Sequence, residues 1–156
     1  MANCANCRLT ISARSKDLLD MLLADIAGAG PFDFNRLIPM PAEVCKLSDR
    51  VQAAWSSKHW GTEWNAAFVE ITRSDDTHCT IEFETKNNPP LPVLDMLAAS
   101  YGQAEFLLED SWDGDLEWLR STLWRYGSRG APTVARRDLH PRPPLRLVKR
   151  SEHTQD

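Results

Sequence analysis

The chain has 156 residues and a mass of 17.7 kDa, enough for one domain that buries a core without disulfides or metals. It is 42% hydrophobic and 26% charged, as folded proteins are, and no apolar run approaches the roughly 18 residues of a bilayer-spanning helix. The net charge of −4 divides unevenly: residues 1–130 hold 19 acidic and 12 basic side chains, and residues 131–156 hold 3 and 6. An acidic body repels nucleic acid, whose phosphates require clustered Lys and Arg, and favours basic partners.

Met1-Ala2-Asn3-Cys4 lacks the basic region and long apolar stretch of an export signal, so the expected compartment is the cytoplasm. Thiols stay reduced there, and Cys4, Cys7, Cys45 and Cys79 are not expected to form a disulfide framework. Cys4-x-x-Cys7 raises a zinc site, but the second ligand pair that such sites take is missing. Cys7, Cys45 and Cys79 read instead as small core residues, and no cofactor is implied.

Cys7-Arg8-Leu9-Thr10-Ile11-Ser12 alternates as a half-buried strand does. Ser15 opens a helix carrying Leu18, Leu19, Leu22, Leu23 and Ile26, which Gly28 and Gly30 stop. Pro31, Pro39 and Pro41 forbid regular structure over 31–41, yet Phe32, Phe34, Leu37, Ile38 and Met40 require that loop to lie against the body. Ser48 caps a second helix. After His59-Trp60-Gly61-Thr62-Glu63-Trp64-Asn65-Ala66, two alternating runs over 67–72 and 79–84 make a hairpin around Ser74-Asp75-Asp76. Pro92 starts a helix with Val93, Leu94, Leu97 and Ala98, and 104–109 is the last expected strand. Trp112, Leu116, Leu119, Leu123 and Tyr126 fall on one helical stripe closed by Gly127. Pro132, Pro141, Pro143 and Pro144 make 128–156 an extended, flexible, basic tail.

This order predicts an α+β protein of the ferredoxin-like βαββαβ plan. Its antiparallel sheet carries helices on one face, with an extra helix in the insert and another at the C-terminus. Residues 1–127 would form the domain and 128–156 the tail.

Four stretches carry a family resemblance: Arg8-Leu9-Thr10-Ile11, Phe34-Asn35-Arg36-Leu37-Ile38-Pro39-Met40-Pro41, Trp60-Gly61-Thr62-Glu63-Trp64-Asn65-Ala66, and Pro89-Pro90-Leu91-Pro92-Val93. On these the chain resembles the YubB-type ferredoxin-like domain family of phage and plasmid proteins, over Met1 to about Glu109. The family often has lysine at the place of Glu63, and a tryptophan before its first cysteine that this chain lacks. The resemblance implies a fold and a mobile-element setting, with no enzyme class and no known ligand.

Alternation would expose Arg8, Thr10 and Ser12, then Phe68, Glu70 and Thr72, then Thr80, Glu82 and Glu84, then Glu105, Leu107 and Glu109 on the face away from the helices. RNA-binding sheets present rings and cations there; this face presents five carboxylates and one arginine. A second acidic stretch, Glu109, Asp110, Asp113, Asp115 and Glu117, flanks Trp112 and Trp118, either as a solvated helix start or as a surface for a basic partner with a tryptophan anchor. Trp60 and Trp64 read as packing at a corner, with Gly61 in an unusual backbone angle and Asn65 or Thr62 bonding backbone groups. Arg36 and Asp33 read as loop anchors.

The leading expectation is a non-enzymatic mobile-element protein that blocks a basic host-defence nucleoprotein complex, in an anti-CRISPR or anti-restriction role. Its partner-binding residues would be Glu70, Glu82, Glu84, Glu105, Glu109, Asp110, Trp112, Asp113, Asp115 and Glu117. The first alternative binds nucleic acid through the tail, by Arg136, Arg137, Arg142, Arg146, Lys149 and Arg150. The second is a metal-dependent nuclease using Asp113 and Asp115, although phosphate loops, zinc-protease motifs and nucleophile elbows are missing. Trp118 and Trp124, off the apolar stripe, raise a homodimer contact.

Overall fold

A computed structural model describes residues 3–112 and 115–136, with the backbone alone for 115–117. Strand β1 (Cys4–Ser12) buries Ala5, Cys7, Leu9 and Ile11 on one face. Helix α1 (Lys16–Ile26) starts where the Ser15 hydroxyl accepts the Leu18 N–H at 3.1 Å, and it buries Leu19, Leu22 and Ile26. The proline-bounded loop then packs inward as expected. Phe34–Arg36 forms a single 3-10 turn, and the rings of Phe32, Phe34 and Phe83 meet edge to face with centroids 5.2–6.3 Å apart. Two helices follow, the short α2 (Ala42–Cys45) and α3 (Asp49–His59), the latter capped by Ser48.

Strands β2 (Ala67–Arg73) and β3 (His78–Lys86) form the expected hairpin. Helix α4 (Leu91–Ser100) and strand β4 (Glu105–Trp112) come next. Val93, Leu94, Leu97 and Ala98 of α4 pack with the α1 residues against Leu9, Ile11, Ile81, Phe106 and Leu108. Fully burying each such aliphatic side chain contributes about 1.5–3 kcal/mol, so this one-sided layer is the main source of stability. The helices leave the other sheet face open.

The C-terminal part differs from expectation. Residues 115–125 are a strand, β5 (Asp115–Arg125), followed by β6 (Ser128–Arg129) and β7 (Thr133–Arg136). Among the described residues no helix follows β4. Trp118, Arg120, Thr122 and Trp124 alternate with Leu119, Ser121 and Leu123, and Trp, Thr and Leu at this spacing suit a pleated strand pairing with β4. Trp112 pairs with Asp115 at the start of β5. At the other end Arg125 pairs with Ser128 across Tyr126 and Gly127, whose φ values are 55° and 79°. Positive φ at both central residues is what a type I′ turn requires, so Gly127 closes a hairpin and not a helix. The sheet runs on through Arg136, past the expected boundary at 127; residues 137–156 lie outside the described residues.

All the pairings are antiparallel, in the order β2-β3-β1-β4-β5-β6, with β7 also on β5. The chain is therefore an α+β protein built on one large antiparallel sheet. Trp124, expected near a dimer contact, is fully buried and donates its Nε1–H to Asp95 at 2.8 Å. Cys7 and Cys79 are buried as expected, whereas Cys45, at the end of the surface helix α2, is exposed. No helix among the described residues is long and apolar enough to cross a membrane.

Candidate functional site

The open face is organised by the strand register. Arg8 on β1 lies across from Glu82 on β3 and from Glu109 on β4, and Glu82 lies across from Glu70 on β2. Glu109, Arg8, Glu82 and Glu70 thus form one row across four strands, about 14 Å long at about 4.8 Å per strand. The next level toward the β4–β5 hairpin holds Ser111, Asn6 and Glu84. This part of the face holds a hollow of about 480 Å³ walled by these residues together with Phe68 and Leu119.

Arg8 Nε lies 3.6 Å from Glu82 Oε2, and both side chains are more than half exposed, a pair worth at most about 1 kcal/mol. Among the described residues no cation pairs with Glu70, Glu84 or Glu109. Phe68 is turned out by a bulge between Ala67 and Glu70, at a φ of 53° that bulky side chains rarely adopt, and is 80% exposed.

The expected partner-binding residues separate into groups. Glu70, Glu82, Glu84 and Glu109 come together in the hollow. Glu105 shares the face but sits at its far end, where Arg125 Nε meets it at 3.0 Å. Asp110 is a correction: alternation along β4 turns it inward, it is 3% exposed, and Arg120 Nε and a terminal nitrogen reach its two oxygens at 3.2 and 2.9 Å. It is a structural ion pair unavailable to a partner. Trp112 is exposed but belongs to a different surface, beside Trp118 and Val134 on the side of Asp110 and Arg120, so it cannot anchor a ligand held by the glutamate row. Asp113 and the side chains of Asp115 and Glu117 lie outside the described residues, as do Arg137, Arg142, Arg146, Lys149 and Arg150. Arg136 ends β7 and is exposed.

The Cys4-x-x-Cys7 pair does not converge. Three residues apart on a strand, the two side chains leave opposite faces. Cys7 is buried, which pushes its thiol well above the ordinary range, and the Asp110 carboxylate adds to this. A zinc ligand must instead shed its proton easily. Among the described residues no group of three or more His, Cys, Asp or Glu side chains is placed to hold a metal ion.

The tryptophan-rich corner is a buttress. Trp60 is 3% exposed, packs edge to face on Phe34 and donates Nε1–H to the Ile38 carbonyl at 2.8 Å. Gly61 adopts a φ of 84°, and Thr62 Oγ1 donates to the Lys86 carbonyl at 2.8 Å. Asn65 Oδ1 accepts the N–H groups of Phe34 and Ala66, and its Nδ2 donates to Asp33 at 2.7 Å. Burial alone would raise the Asp33 carboxyl, but donors from Ala29, Asn65 and Asn35 outweigh it and hold it below the ordinary carboxylate value. Arg36 Nε donates to the Asp25 carbonyl at 3.0 Å, the anchoring role expected of it. Within residues 60–66 only Trp64 is exposed, at 36%.

Alternation located the acidic face, but Phe68 and Arg8 were not among the expected site residues. Alternation places both on the open face, but the bulge between Ala67 and Glu70 has no sequence signature, and Arg8 acquires its role only through the three-strand register.

No family model matches the chain, and no curated protein matches it. Among solved structures, the crystal structure of protein api92 from Yersinia pseudotuberculosis, of family model DUF1281, superposes with a TM-score of 0.56 at 13% identity. The likeness covers 70% of this chain and 40% of that one, so this chain spans well under half of that protein. At this identity the likeness is one of fold alone.

Proposed function

We propose that the protein is a non-enzymatic interaction module that docks a cationic segment of a partner on the open face of its sheet. The observation that carries this reading is the row Glu109–Arg8–Glu82–Glu70, three carboxylates to one cation, at the rim of an open hollow. A concave wall of one sign raises the local concentration of opposite charge and speeds encounter, while the exposed Phe68 ring offers a face to a guanidinium. Phosphate is disfavoured on the same surface.

The order β2-β3-β1-β4 with α1 and α4 on one side supports reading the first 112 residues as ferredoxin-like, with β5–β7 as an extension. With the YubB-type resemblance, this supports a mobile-element protein whose partner is a basic host-defence nucleoprotein, blocked by occupancy of its nucleic-acid groove. In cells carrying a restriction or CRISPR system, expression of the chain restores phage plating, and the variant Glu70→Gln/Glu82→Gln/Glu84→Gln/Glu109→Gln does not. Equal protection by both forms excludes the acidic face. If neither form protects while the wild type still binds an arginine-rich peptide, the docking reading stands and the defence role falls.

A further inference from the structure

The row of carboxylates on the open face is interrupted by one cation, and the interruption says what kind of segment fits there. We propose that Arg8 selects among cationic partners: it divides the face into two cation subsites and itself takes a carboxylate lying between the two cations. This rests on the reading of that face as a cation-binding surface and names the charge pattern of the segment it takes.

The strand register sets the order of charges. Arg8 on β1 stands directly between Glu82 on β3 and Glu109 on β4, with Glu70 beyond Glu82. A face built only to collect positive charge gains nothing from an arginine at its centre, because that cation repels the ones to be collected. Pairing with Glu82 does not account for Arg8 either. Its Nε lies 3.6 Å from Glu82 Oε2, beyond hydrogen-bond distance, and the two side chains are 59% and 54% exposed. The guanidinium thus keeps its planar fork of donors for another acceptor, and a carboxylate meets such a fork with two parallel bonds. When a partner's cation takes Glu82, Arg8 gives up only this weak pair and turns to the partner's carboxylate.

Spacing identifies the backbone that presents this pattern. Glu82 and Glu109 are two strand spacings apart, about 9.6 Å, with Arg8 midway. On a helix, positions i and i+7 are about 10.5 Å apart on one face, and i+4 lies between them. On an extended strand the same-face separations are about 6.8 Å at i+2 and about 13.6 Å at i+4, one short of the gap and one beyond it. The occupant is accordingly a partner helix laid across the strands, with Arg or Lys at i and i+7 and Asp or Glu at i+4. Phe68, 80% exposed on β2, lines the hollow together with Glu70 and Glu84 and gives the cation on that side a ring face.

Two alanine-rich helical peptides of identical composition test this. Both carry Arg at i and i+7; one has Glu at i+4 on the same face, and the other has Glu at i+2 on the opposite face. The full chain is expected to bind the same-face peptide about fivefold more tightly at low salt, the gain of one well-placed exposed ion pair. Arg8→Gln, a change at an exposed site, should bind the two peptides equally. Equal binding by the wild type, the reverse preference, or a preference that survives in Arg8→Gln overturns the proposal. Hexa-arginine binding in any of those cases leaves the cation-docking reading intact. Absence of all binding, hexa-arginine included, removes that reading and the proposal with it.

Discussion

Glu70 stands directly across from Glu82 in the β2–β3 ladder, both on the open face and both exposed. Like charges at directly opposed positions destabilise a sheet, and Arg8, 3.6 Å from Glu82, offsets only part of this. Glu70→Thr should therefore raise stability by about 0.2–1 kcal/mol, read as a higher urea midpoint at unchanged slope, and should weaken binding of a cationic peptide. The stability gain shrinks in high salt. A loss of stability would mean that Glu70 has a partner that the ladder does not provide.

The Asp110–Arg120 pair makes the opposite prediction. Asp110 is 3% exposed and both of its oxygens are held by one guanidinium. Removing the cation leaves a buried carboxylate, so Arg120→Leu should cost about 3 kcal/mol. Asp110→Leu/Arg120→Leu should recover most of that, because no charge remains stranded. Urea unfolding of the single and double variants decides it, and equal losses would refute the account of this pair.

Asp33 ties acid stability to the loop over 31–41. Its carboxyl lies below the ordinary value because the donors from Ala29, Asn65 and Asn35 outweigh its burial. A depressed folded-state pKa contributes stability that is full above the unfolded value of about 3.9 and is lost as pH falls through the folded value. Asp33→Asn should lower stability at neutral pH and flatten the decline below about pH 4. An unchanged acid limb would assign the acid sensitivity to other carboxylates.

Gly61 holds a φ of 84°, and an added Cβ would stand 2.7 Å from Pro92 Cδ. Gly61→Ala should cost about 1–3 kcal/mol through strain and contact together, read in thermal unfolding. A change within about 0.5 kcal/mol, as at neutral surface sites, would show that the corner relaxes freely.

Much of this was legible in the sequence, and the losses have identifiable causes. Alternation in 7–12, 67–72, 79–84 and 104–109 located four strands and the open face, because one-sided burial imposes a period of two. Ser15 and Ser48 marked helix starts through their hydroxyls. Residues 112–126 misled because Leu116, Leu119, Leu123 and Tyr126 satisfy a helical stripe, while Trp118, Arg120, Thr122 and Trp124 satisfy a strand. Length alone could not arbitrate; the glycine of Tyr126-Gly127 could have, as part of a two-residue hairpin connection. Asp110 was misplaced by the same error, since alternation carried one residue past Glu109 turns it inward. The Glu109–Arg8–Glu82–Glu70 row depends on register between strands distant in sequence, which no single segment encodes.

The central claim is that cations dock on the open sheet face, and the most direct measurement is an NMR titration of the full chain with a hexa-arginine peptide. Shifts concentrated at Arg8, Glu70, Glu82, Glu84 and Glu109, and suppressed by salt, are the predicted result. Shifts centred on Trp112, Trp118 and Val134, or none at low salt, would contradict it.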